Sequence, residues 1–328
     1  MKRRGWLRFA GAAALVGTWR ARAQPAPRRI GFLYFGSRES ALATGRQQSF
    51  LDGMHALGHS VGKDYILEER YADGKRDFVR RHADELARLG LVAIVATGSP
   101  AINEARRASG AIPIVVTMMG GDPVRSGYAA SLGRPGGNIT GVYTSNAELL
   151  AMQMQLLAGI APSIKRIAAL SNPQNPIHPS LVEVMQAVGP KTGTQVIVVS
   201  AGTEPQIKEA FAEMARAGAQ GLVILGDTFF TQQSRQLASL ALKHRLPMIS
   251  TTREQVDAGG LLSYGENARE NFRLAAGYVD KILKGARPGD LAFVRSQRPY
   301  LVVNRKAFAA LGLPVPPELA ARADDVVQ

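Results

Sequence analysis

From residue 29 onward, the chain alternates short apolar runs with segments of helical spacing, and this alternation limits the possible folds more than any other feature. The apolar runs at residues 29–34, 91–96 and 112–117 have the length and composition of strands buried on both faces. Between them lie segments such as residues 77–89, in which apolar residues recur with helical spacing. Strand–helix–strand alternation of this kind favours a parallel sheet with helices on both faces.

The alternation is interrupted once and then resumes. Residues 131–138 are rich in Gly and Pro, which are typical of turns. Beyond them the pattern restarts, with apolar runs at residues 166–170 and 221–225. We therefore expect an α/β protein with two doubly wound parallel-sheet lobes and a hinged cleft. We assign residues 28–143 and about 253–290 to lobe 1, and residues 144–252 and about 291–328 to lobe 2.

The first 23 residues predict an export signal. Three basic residues at positions 2–4 precede an apolar run over residues 9–16, and residues 21–23 (Ala-Arg-Ala) match a small-x-small cleavage site. The run is shorter than the ~20 apolar residues that span a bilayer. We expect cleavage near Ala23 and a periplasmic mature protein, exported by the Sec or the twin-arginine route. A buried N-terminal helix or a membrane anchor is the alternative.

Composition narrows the function classes. The chain has no cysteine, which excludes disulfides, thiolate metal sites, a cysteine nucleophile and a lipid anchor on cysteine. The net charge of +14 falls to +8 when the six basic residues of the signal segment are removed. No cluster of basic and aromatic residues remains, so we expect no nucleic-acid partner. We also expect no metal, no cofactor and a monomeric protein.

Candidate binding residues follow the predicted strands, because ligands of parallel sheets bind beyond the carboxyl ends of the strands. Ser99, followed by Pro100, predicts a helix N-terminus whose free N–H groups attract a carboxylate or phosphate, although Ser99 could simply cap the helix. Asp227 follows an apolar run and could accept a ligand ammonium group or act as a capping residue. The full set of candidates is Tyr34, Ser37, Gly98, Ser99, Thr117, Asn175, Asp227 and Tyr264.

Two other function classes remain as alternatives. A secreted α/β enzyme is the first, although the sequence has no HExxH motif and no GxxxxGK[ST] motif. A transcription regulator with a similar sensing fold is the second. It would need a DNA-binding segment before Arg28, where the predicted export signal lies.

A set of motifs, spread over nearly the whole mature chain, resembles the ABC-transporter substrate-binding family that includes the TrpX-type proteins. The motifs are Asp122-Pro123-Val124, residues 131–141 (SLGRPGGNITG), residues 259–265 (GGLLSYG), residues 278–285 (YVDKILKG), Asn304, residues 311–314 (LGLP) and residues 322–325 (RADD). The resemblance implies a type I periplasmic-binding fold, in which two α/β lobes are joined by three crossings and close on a ligand. It also implies delivery to a membrane permease driven by a cytoplasmic ATPase.

The resemblance bears on the ligand as well. Some members of the family bind aromatic amino acids, so an amino acid, including an aromatic one, is an expected ligand. Such a ligand fits a carboxylate site at Ser99 and an ammonium acceptor at Asp227. Residues 35–44 depart from the family pattern, so the resemblance implies least about the ligand contacts of this loop.

Overall fold

The computed structural model describes residues 27–161, 163–296 and 299–328. The predicted export signal, residues 1–23, lies outside the described residues. The strands are β1 (Arg28–Tyr34), β2 (Tyr65–Tyr71), β3 (Ala93–Thr97), β4 (Ile114–Gly120), β5 (Ile139–Thr144), β6 (Arg166–Ser171), β7 (Gln195–Ser200), β8 (Gly221–Ile224), β9 (Met248–Ser250), β10 (Leu262–Gly265), β11 (Val294–Arg295), β12 (Tyr300–Asn304) and β13 (Asp325–Val327).

Helices connect most of these strands. They are α1 (Arg38–Ala43), α2 (Arg46–Ala56), α3 (Arg76–Ala87), α4 (Ser99–Ala108), α5 (Asn146–Ile160), α6 (His178–Val188), α7 (Glu204–Arg216), α8 (Thr228–Gln232), α9 (Ser234–Lys243), α10 (Arg253–Asp257), α11 (Ala268–Leu283), α12 (Arg305–Leu311) and α13 (Pro317–Arg322), with short 3₁₀ helices at Gly189–Thr192 and Pro288–Asp290. Within the described ranges, no helix has both the length and the apolar character that crossing a membrane requires.

The strands form two sheets. The first has the order β11-β5-β4-β3-β1-β2, and all its neighbouring strands are parallel. The second has the order β13-β12-β10-β9-β8-β6-β7, with β10 and β12 antiparallel and the other pairs parallel. The two parallel-dominated sheets confirm the predicted α/β fold class.

Local sequence patterns explain the layers around each sheet. The central strand β3 reads AIVAT and is buried along its whole length, as expected for a strand covered on both faces. Helix α3 buries Val79, Ala83 and Leu86, whose spacing of four and three residues places them on one helix face. Two apolar cores therefore lie on opposite faces of the first sheet, one under α3 and α4 and the other under α2 and α11.

We define lobe 1 as the first sheet with α1–α4 and α11, and lobe 2 as the second sheet with α5–α10, α12 and α13. The chain passes between the lobes three times. The first two crossings follow β5 (residues 144–146) and β10 (residues 265–268), and the third connects β11 to β12. Three connections of this kind suit a hinge, because small changes in a few crossing residues can rotate one lobe against the other.

The crossings lie at different places from the predicted lobe boundaries. Strand β10 pairs with β9 in lobe 2, although residues 253–290 were expected in lobe 1. Strand β11 pairs with β5 in lobe 1, although it lies beyond residue 291. Within the predicted range, α11 does belong to lobe 1, where it packs on α2 and β4. Alternation along the chain shows that a strand is present, but strand pairing between distant segments decides which sheet it joins.

Candidate functional site

A cavity between the lobes is lined by residues from both of them. From lobe 1 come Thr97 at the end of β3, residues 98–100 after it, Met118 and Gly120 of β4, and Arg46 of α2. The cavity contains about 830 Å³ of empty space, counting the part that is open to solvent. This size and the position beyond the carboxyl ends of parallel strands are both typical of small-molecule sites.

Lobe 2 contributes polar turns and an apolar wall. The turns follow β6, β8 and β9 and place Asn175, residues 226–228 and residues 251–252 at the cavity. Leu149 of α5 and Leu181 of α6 form part of the apolar wall. The cavity therefore combines hydrogen-bonding groups with an apolar surface, which suits a ligand that has both characters.

The N-terminus of α4 meets the cavity from lobe 1. Gly98 is the N-cap, and its φ of 88° lies in the left-handed region that glycine adopts readily. Ser99 is the first helical residue and not the predicted cap, so the helix begins one residue earlier than predicted, and no side chain caps it. The N–H groups and positive dipole end of this helix are therefore available to an anionic group.

Asp227 lines the cavity and holds two of its turns together. Its Oδ1 accepts the N–H of Phe229 at 2.7 Å, which makes Asp227 the N-cap of α8. Its Oδ2 accepts the side-chain amides of Asn175 at 2.8 Å and of Asn172 at 3.2 Å. The side chain is 1 % exposed. Its carboxylate thus joins the turn after β6 to the turn after β8.

His178 contacts the same two turns from the interior of lobe 2. It is fully buried, and its Nδ1 accepts the backbone N–H of Asn172 at 2.7 Å. The ring proton is therefore on Nε2, which donates to the carbonyl of Gly226 at 3.3 Å and lies 3.6 Å from Asp227 Oδ2. Burial lowers the pKa of His178, and the attraction of Asp227 offsets only part of this effect. The imidazole is accordingly neutral.

Arg46 forms an ion pair across the cleft. Its Nη2 donates to Glu254 Oε1 of α10 at 3.2 Å, and its Nη1 donates to the hydroxyl of Tyr34 at 2.8 Å. Arg46 is 1 % exposed, whereas Glu254 is 24 % exposed. Burial alone would lower the pKa of Arg46, but Glu254 and Tyr34 raise it above its usual value. A charged guanidinium of lobe 1 thus contacts a carboxylate of lobe 2.

Glu266 lies in the second crossing, directly after β10. It lines the central cavity and also a smaller pocket formed by all three crossings. One of its oxygens accepts the side-chain amide of Asn271. Desolvation raises the pKa of Glu266 to about 7, against the lowering effects of Thr144, Asn271 and Arg46. Close to neutral pH, this carboxyl group is therefore a mixture of protonated and charged forms.

Four of the eight predicted binding residues line the cavity and four do not. Gly98, Ser99, Asn175 and Asp227 belong to the lining. The hydroxyl of Tyr34 is bound to Arg46, and Ser37 caps α1 by accepting the N–H of Ser40 at 3.1 Å. The hydroxyl of Thr117 lies 2.7 Å from the hydroxyl of Thr97. Tyr264 packs on the core of lobe 2.

The cavity also contains residues that the sequence analysis missed. Arg46 is a residue in the first turn of α2, and no local pattern marks it, because only the packing of the lobes brings it to the cleft. Glu266 had a usable signal, since it is a polar residue directly after a predicted strand. Glu266 follows directly after the motif at residues 259–265 and was not included among the candidates.

Two arrangements resemble parts of hydrolase sites. Residues 58–62 read GHSVG, which matches a GxSxG pattern, but they lie between α2 and β2 rather than in a strand–turn–helix element. His178 lies 3.5 Å from the hydroxyl of Ser171 and 3.6 Å from Asp227. Its Nδ1 already accepts the N–H of Asn172, so it is not available as a base for that hydroxyl. Both arrangements fit a structural role.

Comparison with known families decides the general identity of the chain. A family model described as "ABC transporter substrate binding protein" matches residues 35–327. The chain belongs to this family. The ABC transporter substrate-binding fold explains the three crossings and the central cavity, and it accounts for the motifs found in the sequence.

Several individual proteins are similar to this substrate-binding protein. A tyrosine-binding protein of Clostridioides difficile (strain R20291) is 20% identical over 267 residues, covering 81% of this chain and 76% of the relative. The structure of an ABC domain in complex with L-Trp from Streptococcus pneumonia has a TM-score of 0.85 at 22% identity and covers 92% of this chain and 100% of its own. A conserved domain protein from Vibrio cholerae has a TM-score of 0.83 at 24% identity, with 91% and 99% covered.

Proposed function

We propose that this protein is the periplasmic receptor of an ABC importer for an amino acid with an aromatic side chain. After removal of the signal segment near Ala23, the monomeric, unanchored protein captures its ligand between the lobes. It then delivers the ligand to an inner-membrane permease that is driven by a cytoplasmic ATPase. It acts as a binding protein and not as an enzyme.

The distribution of charge in the cavity carries the proposal. The uncapped N-terminus of α4 on lobe 1 suits the carboxylate of an amino acid. Carboxylates at Asp227 and Glu266 supply negative charge for an ammonium group. Leu149, Leu181 and Met118 offer an apolar surface for a large side chain. An α-amino acid combines these three features in one small molecule.

The relatives support the choice of an aromatic amino acid. One similar protein is named for tyrosine binding, and one similar structure contains L-Trp. In this chain, the aromatic residues among the predicted binding residues, Tyr34 and Tyr264, lie outside the cavity lining. We therefore assign the contacts with the ligand ring to the aliphatic side chains of α5 and α6.

Isothermal titration calorimetry of residues 24–328 tests this function. The ligands are L-tryptophan, L-tyrosine and L-phenylalanine, compared with indole-3-propionate, which has no ammonium group, and tryptamine, which has no carboxylate. We expect at least one amino acid to bind, and each truncated analogue to bind at least about 10-fold more weakly. Failure of all three amino acids to bind would rule out the proposed ligand class.

The export route has its own test. The full chain with a C-terminal tag is expressed in a Gram-negative host, and the mass of the periplasmic product is measured. We expect a product that begins at Gln24. An Ala23→Leu variant, which removes the small residue at the cleavage site, should accumulate with its signal segment still attached. A periplasmic product that retains residues 1–23 in the unaltered chain would contradict the assignment.

A further inference from the structure

Two carboxylates line the central cavity in the part of the chain that the structure describes, and their surroundings differ. The oxygens of Asp227 accept three N–H groups, from Phe229, Asn175 and Asn172, and its side chain is 1 % exposed. These bonds leave the Asp227 carboxylate little capacity to bind a ligand. They fit a residue that holds the cavity turns in position.

Glu266 has fewer partners. Its Oε2 accepts one amide, from Asn271, and among the described residues no basic side chain forms an ion pair with it. Arg46 shares the cavity lining, but its guanidinium is engaged by Glu254 and Tyr34. Glu266 is only partly buried and reaches the cavity from the crossing between the lobes. Arg46 attracts Glu266 electrostatically but forms no ion pair with it, so this cavity carboxylate can still accept a cation brought by the ligand.

We propose that Glu266 is the residue that binds the ammonium group of the ligand, and that Asp227 positions the cavity turns instead. This inference rests on the proposed function, because it needs a ligand with an ammonium group. It also connects binding to closure, since the ammonium group would contact the second crossing directly.

The protonation of Glu266 makes this assignment measurable. With a pKa of about 7, about half of the free protein carries a proton on Glu266 at pH 7. A bound ammonium group favours the charged carboxylate and lowers its pKa, so binding releases protons close to pH 7. Affinity should therefore rise as the pH increases from 6 to 8. Other charged or titratable side chains that share a cavity or pocket lining with Glu266 are Arg46, Asp227, Arg253, Glu254, Asp257, Arg269, Arg295 and Tyr300.

The Glu266→Gln variant, with Glu270→Gln as a matched control, provides the test. Both changes remove a carboxylate close to the start of α11, but Glu270 lies outside the cavity lining. The probes are L-tryptophan and L-tyrosine at pH 8, together with their deamino analogues, indole-3-propionate and 3-(4-hydroxyphenyl)propionate. We expect E266Q to weaken binding of the amino acids by about 30-fold and to leave the affinity for the analogues within about twofold. At pH 7, where the wild type releases protons on binding, we expect E266Q to abolish this release, measured in buffers of different ionisation enthalpy. We expect E270Q to match the wild type in each measurement.

The outcomes separate this inference from the proposed function. If the wild type binds none of L-tryptophan, L-tyrosine and L-phenylalanine, the proposed ligand and this inference both fail. If the wild type binds and E266Q binds equally well with the same proton release, only the Glu266 assignment is overturned. The Asp227→Asn variant gives a further contrast. Because its role is to position the turns, we expect it to weaken binding of an amino acid and its analogue by the same factor. A selective loss for the amino acid in D227N would instead assign the ammonium group to Asp227.

Discussion

Replacing Gly141 with Ala tests the packing of the strand that leads into the first crossing. Gly141 lies in β5 with a φ of 133°, and an added Cβ would be 2.2 Å from the carbonyl oxygen and 2.7 Å from the nitrogen of Val116 in β4. These are backbone atoms, so rotation of a side chain cannot relieve the contacts. The two strands would have to move apart in the interior of the first sheet.

The expected cost has two parts. A non-glycine residue held at this φ costs about 1–3 kcal/mol. Overpacking against the neighbouring strand costs about another 1–3 kcal/mol. The variant should therefore lose about 4 kcal/mol of unfolding free energy. At about 2–4 °C per kcal/mol for a large domain, this loss lowers Tm by about 8–16 °C.

The matched control is Gly277→Ala. Gly277 lies in the interior of α11, where an added Cβ would meet no atom within 4 Å. Alanine is the better helix former, so this variant should gain about 0.5–1 kcal/mol. Urea and thermal unfolding of residues 24–328, followed by circular dichroism, measure both changes. A Gly141→Ala protein as stable as the wild type would show that our account of the β4–β5 contact is wrong.

Two further predictions concern the cleft. Glu254→Gln leaves buried Arg46 without its ion-pair partner on the other lobe, which should destabilise the closed arrangement of the lobes by about 1–3 kcal/mol. We therefore expect the Kd for the ligand, measured by calorimetry, to rise by about 5–150-fold. An unchanged Kd would mean that the ion pair does not stabilise closure. Burial lowers the pKa of His178, so the unfolded chain binds more protons and the unfolding free energy should fall as the pH drops below about 6.5. Urea unfolding at pH 7 and pH 5 should show a smaller loss in His178→Gln, and an equal loss would exclude His178 as the group responsible.

Much of the fold could be predicted from local patterns. Apolar runs of strand length and segments of helical spacing identified most elements, including β1, β3 and α3. Strand β5 was not predicted, because it follows a turn-rich segment and contains Gly141, which weakens a strand pattern. Its glycine is explained only by the close approach of Val116.

The candidate site could be predicted in part. Residues that directly follow strands of parallel sheets tend to reach the cleft, and this rule found Ser99, Asn175 and Asp227. The same rule also selected Ser37 and Thr117, whose hydroxyls are used within lobe 1. Position after a strand does not show whether a side chain faces the other lobe or its own core.

The sequence by itself determined the α/β class, the two series of strands and helices, and the family motifs, because these depend on residues close together in the chain. Only the tertiary structure decided where the three crossings lie and which charges meet in the cleft. Arg46 and Glu254 are separated by 208 positions, and Glu266 reaches the cavity because β10 pairs with β9 in lobe 2 while α11 packs in lobe 1. Such contacts depend on pairing and packing between distant segments, which no local pattern specifies.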